Sequence, residues 1–187
     1  MTAFSDRAII LGRERSGETS LVVQLLCRGR GRMDALAKGA LGPGSALAPV
    51  LDMLHEVDIV LKPSARGARA WVREAVMVEP FAGMRADFPR FELACHFAAL
   101  VALCVDREHP SPEIYDLLRL GLGYLDAHGA SLRLMLRFER RLLEMLGLGV
   151  AGEGFSAAQF GAIFGQNFHA LPPGRGRLLK ALPRGPT

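Results

Sequence analysis

Cysteine is scarce in this 187-residue chain: Cys27, Cys95 and Cys104 are the only three, and no two form a C-x-x-C pair. That spacing and the apolar surroundings of all three argue for reduced, buried thiols rather than disulfides or metal ligands. Long apolar runs are missing too. Half of the residues are hydrophobic, yet no stretch approaches the ~18 uninterrupted apolar residues that a membrane span requires. The opening MTAFSDRAIILG sets Asp6 and Arg7 before a short apolar run and has no A-x-A-like cleavage site, so it does not read as a signal peptide. These absences predict a soluble, cytoplasmic protein with no membrane partner. Catalytic patterns are also lacking. Ser16 and Ser20 have no recognisable His/Asp partners, and His96, His109, His128 and His169 are scattered without a pattern for metal binding or proton relay. No enzyme is expected.

What is present begins with RERSGETSLVV, Arg13 to Val23, where a glycine sits beside hydroxyl residues. A phosphate-binding loop needs G-x-x-x-x-G-K-[ST], and no lysine follows Gly17. The alternative is a hairpin turn between AIIL, Ala8 to Leu11, and SLVVQLLC, Ser20 to Cys27. Period-two spacing continues beyond it. GRMDALAKGA alternates weakly. In LDMLHEVDIVLK the residues Leu51, Met53, His55, Val57, Ile59 and Leu61 share one face, which makes His55 a core or rim histidine. Asp52, Glu56, Asp58 and Lys62 dominate the other face, read as solvated. ARAWVREAVMVE supplies a fifth strand whose phase slips around Arg73 to Ala75, as a β-bulge would produce. Five strands with a Gly/Pro link, LGPGSALAP, between the third and fourth predict an OB-type barrel.

The period changes near Phe81. RFELACHFAALVALCVDRE carries a helical stripe of Phe91, Ala94, Cys95, Ala98 and Val101 behind Pro89. A second helix opens on Ser111, Pro112 and Glu113 and stops at Gly129. A third, with Leu134, Phe138, Leu142 and Met145 inward, ends at Gly147 and Gly149, and a Ser cap starts a fourth in SAAQFGAIFGQNFHAL. The fold class is therefore α+β: a five-stranded OB-fold barrel over residues 1–80, an all-α domain over 81–171, and a basic tail over 172–187. Arg175, Arg177, Lys180 and Arg184 give that tail a charge of +4 with no acid, equal to the net charge of the whole chain, and leave 19 basic against 19 acidic residues before it. It reads as a flexible terminus with at most one helical turn.

Three segments, GETSLVV after an arginine-bearing strand, KGA after the third strand, and RFERRLLEMLGL, occur in an order that resembles the RecO family of DNA repair proteins. The resemblance covers most of the chain up to about Gly149. It implies an OB-fold followed by a helical domain, binding of single- and double-stranded DNA, annealing of complementary strands, and action in the nucleoid with RecR and the single-stranded-DNA-binding protein SSB to load the RecA recombinase. The alternative reading is a structural adaptor whose barrel contacts protein instead of DNA. Salt-dependent retention on single-stranded DNA separates the two.

For a DNA site the residues point to CRGRGRM, where Arg28, Arg30 and Arg32 can spread over several phosphates while Gly29 and Gly31 let the backbone approach, joined by Arg13, Arg15 and Lys38 if the first three strands are adjacent. The competing reading is an ordinary solvated hairpin tip. Aromatic platforms are few in this half. Phe4, Trp71 and Phe81 are the candidates, with Trp71 also readable as core, so backbone electrostatics should dominate over base stacking. In the helical half, Arg107, Arg119, Arg133 and Arg137 lie among Tyr115, Leu118 and Leu122, a complement for the short acidic, apolar tail that family resemblance gives SSB, unless these arginines merely solvate the bundle.

Many RecO proteins carry a cysteine cluster directly after the LGL segment, where this chain reads GVAGEGFSAAQF. A structural zinc needs about four thiolate or imidazole ligands at short spacing. Neither zinc nor another cofactor is therefore expected, and elemental analysis of the purified protein should find far less than one zinc per chain.

Overall fold

The computed structural model describes residues 2–64, 69–149 and 155–184. The chain forms two compact units, one of Met1–Phe81 with Val105–Tyr115 and one of Ala82–Cys104 with Asp116–Thr187. The expected single boundary near residue 80 is therefore crossed again by a short return segment.

The first unit is a closed barrel of β1 (Phe4–Ser16), β2 (Ser20–Cys27), β3 (Gly31–Ala37), β4 (Glu56–Lys62) and β5 (Ala70–Glu79), with neighbours in the order β1-β2-β3-β5-β4. This is the OB-type arrangement. Alternate residues fill it: Leu21, Val23 and Leu25 from β2 meet Val57, Ile59 and Leu61 from β4. Gly17, at φ +71°, sits in the turn between β1 and β2, as the hairpin reading requires. A short helix, α1 (Leu47–Val50), occupies the link between β3 and β4. Arg13 holds it in place, its Nη1 donating to the Ala48 carbonyl at 3.2 Å and its Nη2 lying 2.9 Å from Asp52.

The phase slip in the fifth strand is a bulge. Leu61 pairs with Val72 and Val60 with Glu74, so Arg73 is the extra residue. The fourth strand, by contrast, begins only at Glu56, because Leu54 takes a left-handed conformation (φ +70°) and Leu51–His55 turns. This shifts the acidic face. Asp58 is exposed and ion-paired with Arg7 at 2.8 Å, and that hydrogen-bonded guanidinium holds its carboxyl below the ordinary range. Glu56 is fully buried and accepts a 2.8 Å hydrogen bond from the Tyr115 hydroxyl. The expectation of a solvated Glu56 is corrected accordingly. His55 is buried, with Nδ1 3.2 Å from the Val50 carbonyl.

The return segment docks on the turn between β2 and β3. Glu108 N–H donates to the Arg32 carbonyl at 3.0 Å, and Arg107 reaches Asp34 at 2.7 Å. Gly31, at φ +73°, admits this approach, since a Cβ there would run into the His109 carbonyl.

The second unit holds a 3-10 turn (Ala82–Ala86), α2 (Phe88–Cys104), the main part of α3 (Pro112–His128), α4 (Leu132–Met145), α5 (Ala157–Phe168) and α6 (Arg175–Ala181). Ser131 caps α4 by accepting from Leu134 N–H, and Ser156 forms a capping box with Gln159 at α5. The Phe97 and Phe138 rings stack with centroids 3.8 Å apart over Gly121, where a Cβ would crowd both. The buried stripe of α4 is Met135, Phe138, Glu139, Leu142 and Leu143. It includes a carboxylate and leaves Met145 exposed, one step out of phase with the expected stripe.

That carboxylate explains the tail. Arg175 is buried, and its Nε and Nη2 donate to the two Glu139 oxygens at 2.8 Å each, while Nη2 also donates to the Ala157 carbonyl at 3.0 Å. His96 Nε2 lies 3.0 Å from Glu139 Oε1. The basic segment is thus a docked helix of nearly two turns rather than a flexible terminus, and His96 has the partner that the sequence did not suggest. Removing one member of a buried ion pair strands the other, at a cost of about 3–5 kcal/mol, whereas an exposed pair contributes about 0–1. Arg175→Met should therefore lower the urea midpoint of helical circular dichroism sharply. Arg177→Ala, which removes an exposed arginine paired with Glu92, should barely move it. Equal small shifts would mean that Glu139 does not depend on Arg175.

Candidate nucleic-acid interface

Three cations converge on the barrel surface. Lys38 follows the end of β3, Lys62 ends β4, and Arg73 is the bulged residue of β5. Together with Pro63, Ser64, Trp71 and Val72 they line a shallow groove of about 680 Å³. Its lining contains no carboxylate, and neither lysine nor Arg73 has an ion-pair partner among the described residues. The backbone explains the convergence: Lys62 and Leu36 both pair with Trp71, one from each neighbouring strand. On β5 the side chains of Trp71 and Arg73 are exposed while Val72 between them is buried. Trp71 is 38% exposed, so of its two readings from sequence the core one does not hold. Unpaired cations beside an open aromatic ring suit a polyanion with accessible bases.

The other sequence-predicted DNA residues fall into separate places. Along the β1–β2 ladder Arg15 pairs with Leu21, whereas Cys27, next to Arg28, pairs with Ala8. Six residues of strand separate these two positions, roughly 20 Å, so Arg13 and Arg15 stand at one end and the Arg28–Arg32 turn at the other. Arg13 is engaged with Asp52 and Ala48. Arg15 is exposed and has no ion pair among the described residues. The turn is not a plain solvated tip. Asp6 accepts from Gly29 N–H at 3.2 Å, the Arg30 guanidinium lies 3.8 Å above the Phe4 ring, and Arg32 has its Nε buried. Arg28 and Arg30 remain exposed. Phe4 is covered by Arg30 and Phe81 is buried, so neither offers a free face. Burial pushes the Cys27 thiol up to about 12 and raises that of Cys95 as well, leaving both as poor nucleophiles.

A second concavity, of about 850 Å³, lies in the helical unit between α3 and α4. Leu117, Leu120 and Tyr124 provide its apolar side, and Arg133, Arg137, Arg140 and Arg141 its cationic side. Leu120 is 67% and Tyr124 49% exposed. Of the residues proposed from sequence for a partner groove, only Arg133 and Arg137 line it. Tyr115, Leu118 and Leu122 are buried and cannot face a ligand, Arg107 is paired with Asp34, and Arg119 is exposed on α3 outside the lining. The apolar partners of the arginines sit instead on the adjacent stripe of α3. Tyr124, stacked on His128 at 4.4 Å, carries the visible aromatic surface.

Among the described residues no three His, Cys, Asp or Glu side chains group as a metal site would need, and no helix is long and apolar enough to cross a membrane. Residues 150–154, at the start of the stretch where the sequence lacks the cysteine cluster that the resemblance would supply, lie outside the described residues.

Comparison with known proteins agrees with this architecture. Residues 1–81 match the family model of the recombination protein O N terminal region, and residues 85–153 match that of its C terminal region. The chain is 30% identical over 140 residues to the DNA repair protein RecO of Rhodopirellula baltica, covering 75% of this chain and 52% of that one. It is 31% identical over 150 residues to that of Desulfosudis oleivorans, covering 79% and 58%, and 32% identical over 148 residues to that of Rhodopseudomonas palustris strain BisB18, covering 79% and 57%. The chain thus spans a little over half the length of these curated relatives. With a closed five-stranded barrel in the first matched region and helices in the second, the chain belongs to the RecO family.

Proposed function

We propose that this chain is a non-catalytic DNA-binding protein of recombinational repair that holds single- and double-stranded DNA on its barrel, promotes annealing of complementary strands and, together with RecR, helps RecA load on SSB-coated DNA. The observation that carries the reading is the groove of Lys38, Lys62 and Arg73 with no carboxylate in its lining. Cations already paired within the protein gain little from phosphates, whereas unpaired ones release counterions from the strand they meet. Arg15, Arg28 and Arg30 add exposed charge on the same barrel. A surface that neutralises phosphates on two strands lowers their mutual repulsion, which is the electrostatic requirement of annealing. Family membership supports the roles of RecR and RecA.

Each phosphate contact adds about 0.7 to the log–log salt slope of single-strand binding. Replacing Lys38, Lys62 and Arg73 together by alanine should flatten that slope by about 2 and weaken binding of all sequences alike, as read by fluorescence anisotropy across a salt series. A folded variant with the parental slope would remove the groove from the DNA site.

The groove between α3 and α4 supports the second half of the proposal. An apolar floor with exposed Leu120 and Tyr124 beside four arginines complements a short peptide that is both acidic and apolar, as the SSB tail is by family resemblance. Arg140 and Arg141 share Glu144 at 3.0 and 2.8 Å, so Arg137 is better placed than they are to meet peptide carboxylates, and Arg133 lines the same groove. Arg133→Glu with Arg137→Glu should reduce binding of an SSB tail peptide by more than ten-fold while leaving DNA affinity near the parental value. Retained peptide binding would assign these arginines to solvation of the bundle.

A further inference from the structure

The barrel groove contains a group that phosphate neutralisation does not use. Trp71 is the only tryptophan of the chain, and it stands 38% exposed between Lys62 on β4 and Leu36 on β3. An indole is costly to leave in water, since its apolar area dominates whatever core it joins. No ring or guanidinium among the described residues stacks on Trp71, whereas the Phe4 ring of the same barrel is capped by Arg30 at 3.8 Å. Its surroundings are also specific. Lys38, Lys62 and Arg73 line the same groove, and the bulge that makes Arg73 an unpaired residue sets that cation two positions from the indole on the exposed side of β5. β-Bulges re-aim side chains in this way beside functional sites.

We propose that Trp71 is a stacking platform for an unpaired base, so that the groove prefers single-stranded over duplex DNA. The proposal rests on the reading of the groove as a DNA site and adds what selects the strand. Both forms of DNA offer phosphates to the three cations. Only an unpaired base offers a free π-face, because in a duplex both faces of each base are already stacked on neighbours. Stacking on an aromatic side chain is sequence-tolerant and carries no charge, so its loss should change affinity without changing the salt slope. It adds a stacking contribution to the expectation from sequence that backbone electrostatics dominate the binding.

The single tryptophan is also its own reporter. With the full chain, titration of an oligo-dT should quench Trp71 emission, and a hairpin-free duplex of equal length should quench it far less. Trp71→Ala should weaken oligo-dT binding by about ten-fold, leave duplex affinity within two-fold, and keep the parental salt slope; Trp71→Phe should recover part of the loss while preserving the packing of β5. Equal losses on both DNA forms, or unchanged emission on saturating oligo-dT, would overturn stacking. The Lys38, Lys62 and Arg73 alanine variant distinguishes the two readings. If it flattens the salt slope while Trp71→Ala changes nothing, the groove stands as a DNA site and the platform falls. If neither set of substitutions affects DNA binding, the groove itself is not the site.

Discussion

The barrel closes through a seam of two residue pairs. Ala35 pairs with Ala70 and Leu36 with Trp71 in the sheet's one parallel contact, while every other strand neighbour is joined antiparallel over six pairs or more. Closure removes a sheet edge and therefore cannot be omitted without exposing the core. A short seam still leaves most of β5 free of β3. The bulge at Arg73 lies just beyond it, where the strand is no longer constrained on that side. Trp71 is thus fixed by backbone pairing to both neighbours, and Arg73 is released from it. The same few residues complete the barrel and build the cationic groove. That economy limits which substitutions can separate folding from binding: the outward side chains of Lys38, Lys62 and Arg73 can change, but Ala35 and Ala70, buried at the seam, cannot grow.

The helical unit depends on a different device. Glu139 is fully buried on α4 and is approached by His96 from α2 and by Arg175 from α6, while Arg175 also bonds the first turn of α5 through Ala157. The Glu139–Arg175 pair therefore ties four helices. A buried ion pair adds little net stability against an apolar substitute, and its best-attested value is in specifying one arrangement. Here it specifies where the last helix docks. α6 has only seven residues and no side-chain cap, too short to persist alone. The bidentate contact and the buried Leu178 fix its position.

The barrel was largely legible in the sequence, because alternation on β2, the turn glycine at Gly17 and the phase slip at Arg73 are local signals of local geometry. The helix start at Ser156 was legible for the same reason, whereas the Ser131 cap was not singled out. Burial of polar groups was not. Glu56 and Glu139 sit at positions where a charged residue ordinarily marks solvent, and only their distant partners, Tyr115 and Arg175, make them interior. Those pairings span 59 and 36 residues, beyond the reach of periodicity. The candidate site was half legible. Lys38 could be named from its place after β3, but Lys62 and Arg73 join it only through barrel closure. Trp71 remained ambiguous because an aromatic in a strand is equally suited to core and surface. Tyr115, Leu118 and Leu122 failed as groove residues by the opposite error: the apolar stripe chosen on α3 is the one that packs inward, and the exposed stripe beside it carries Leu120 and Tyr124.

Charge is where sequence and structure part most instructively. The charge of the tail equals the whole net charge of +4, but the fold does not leave all of it available to a polyanion. Arg175 is neutralised inside the helical unit and Arg177 is paired with Glu92 at 2.6 Å, so half of the tail's four cations are committed within the protein. Arg7, Arg13 and Arg107 are likewise committed to Asp58, Asp52 and Asp34. Counterion release depends on cations that meet phosphate without first losing a carboxylate partner. A chain neutral on paper before residue 172 can therefore present a locally unopposed cluster. Net charge is a property of the sequence, whereas the affinity proposed for the barrel is set by which cations the fold leaves unpaired.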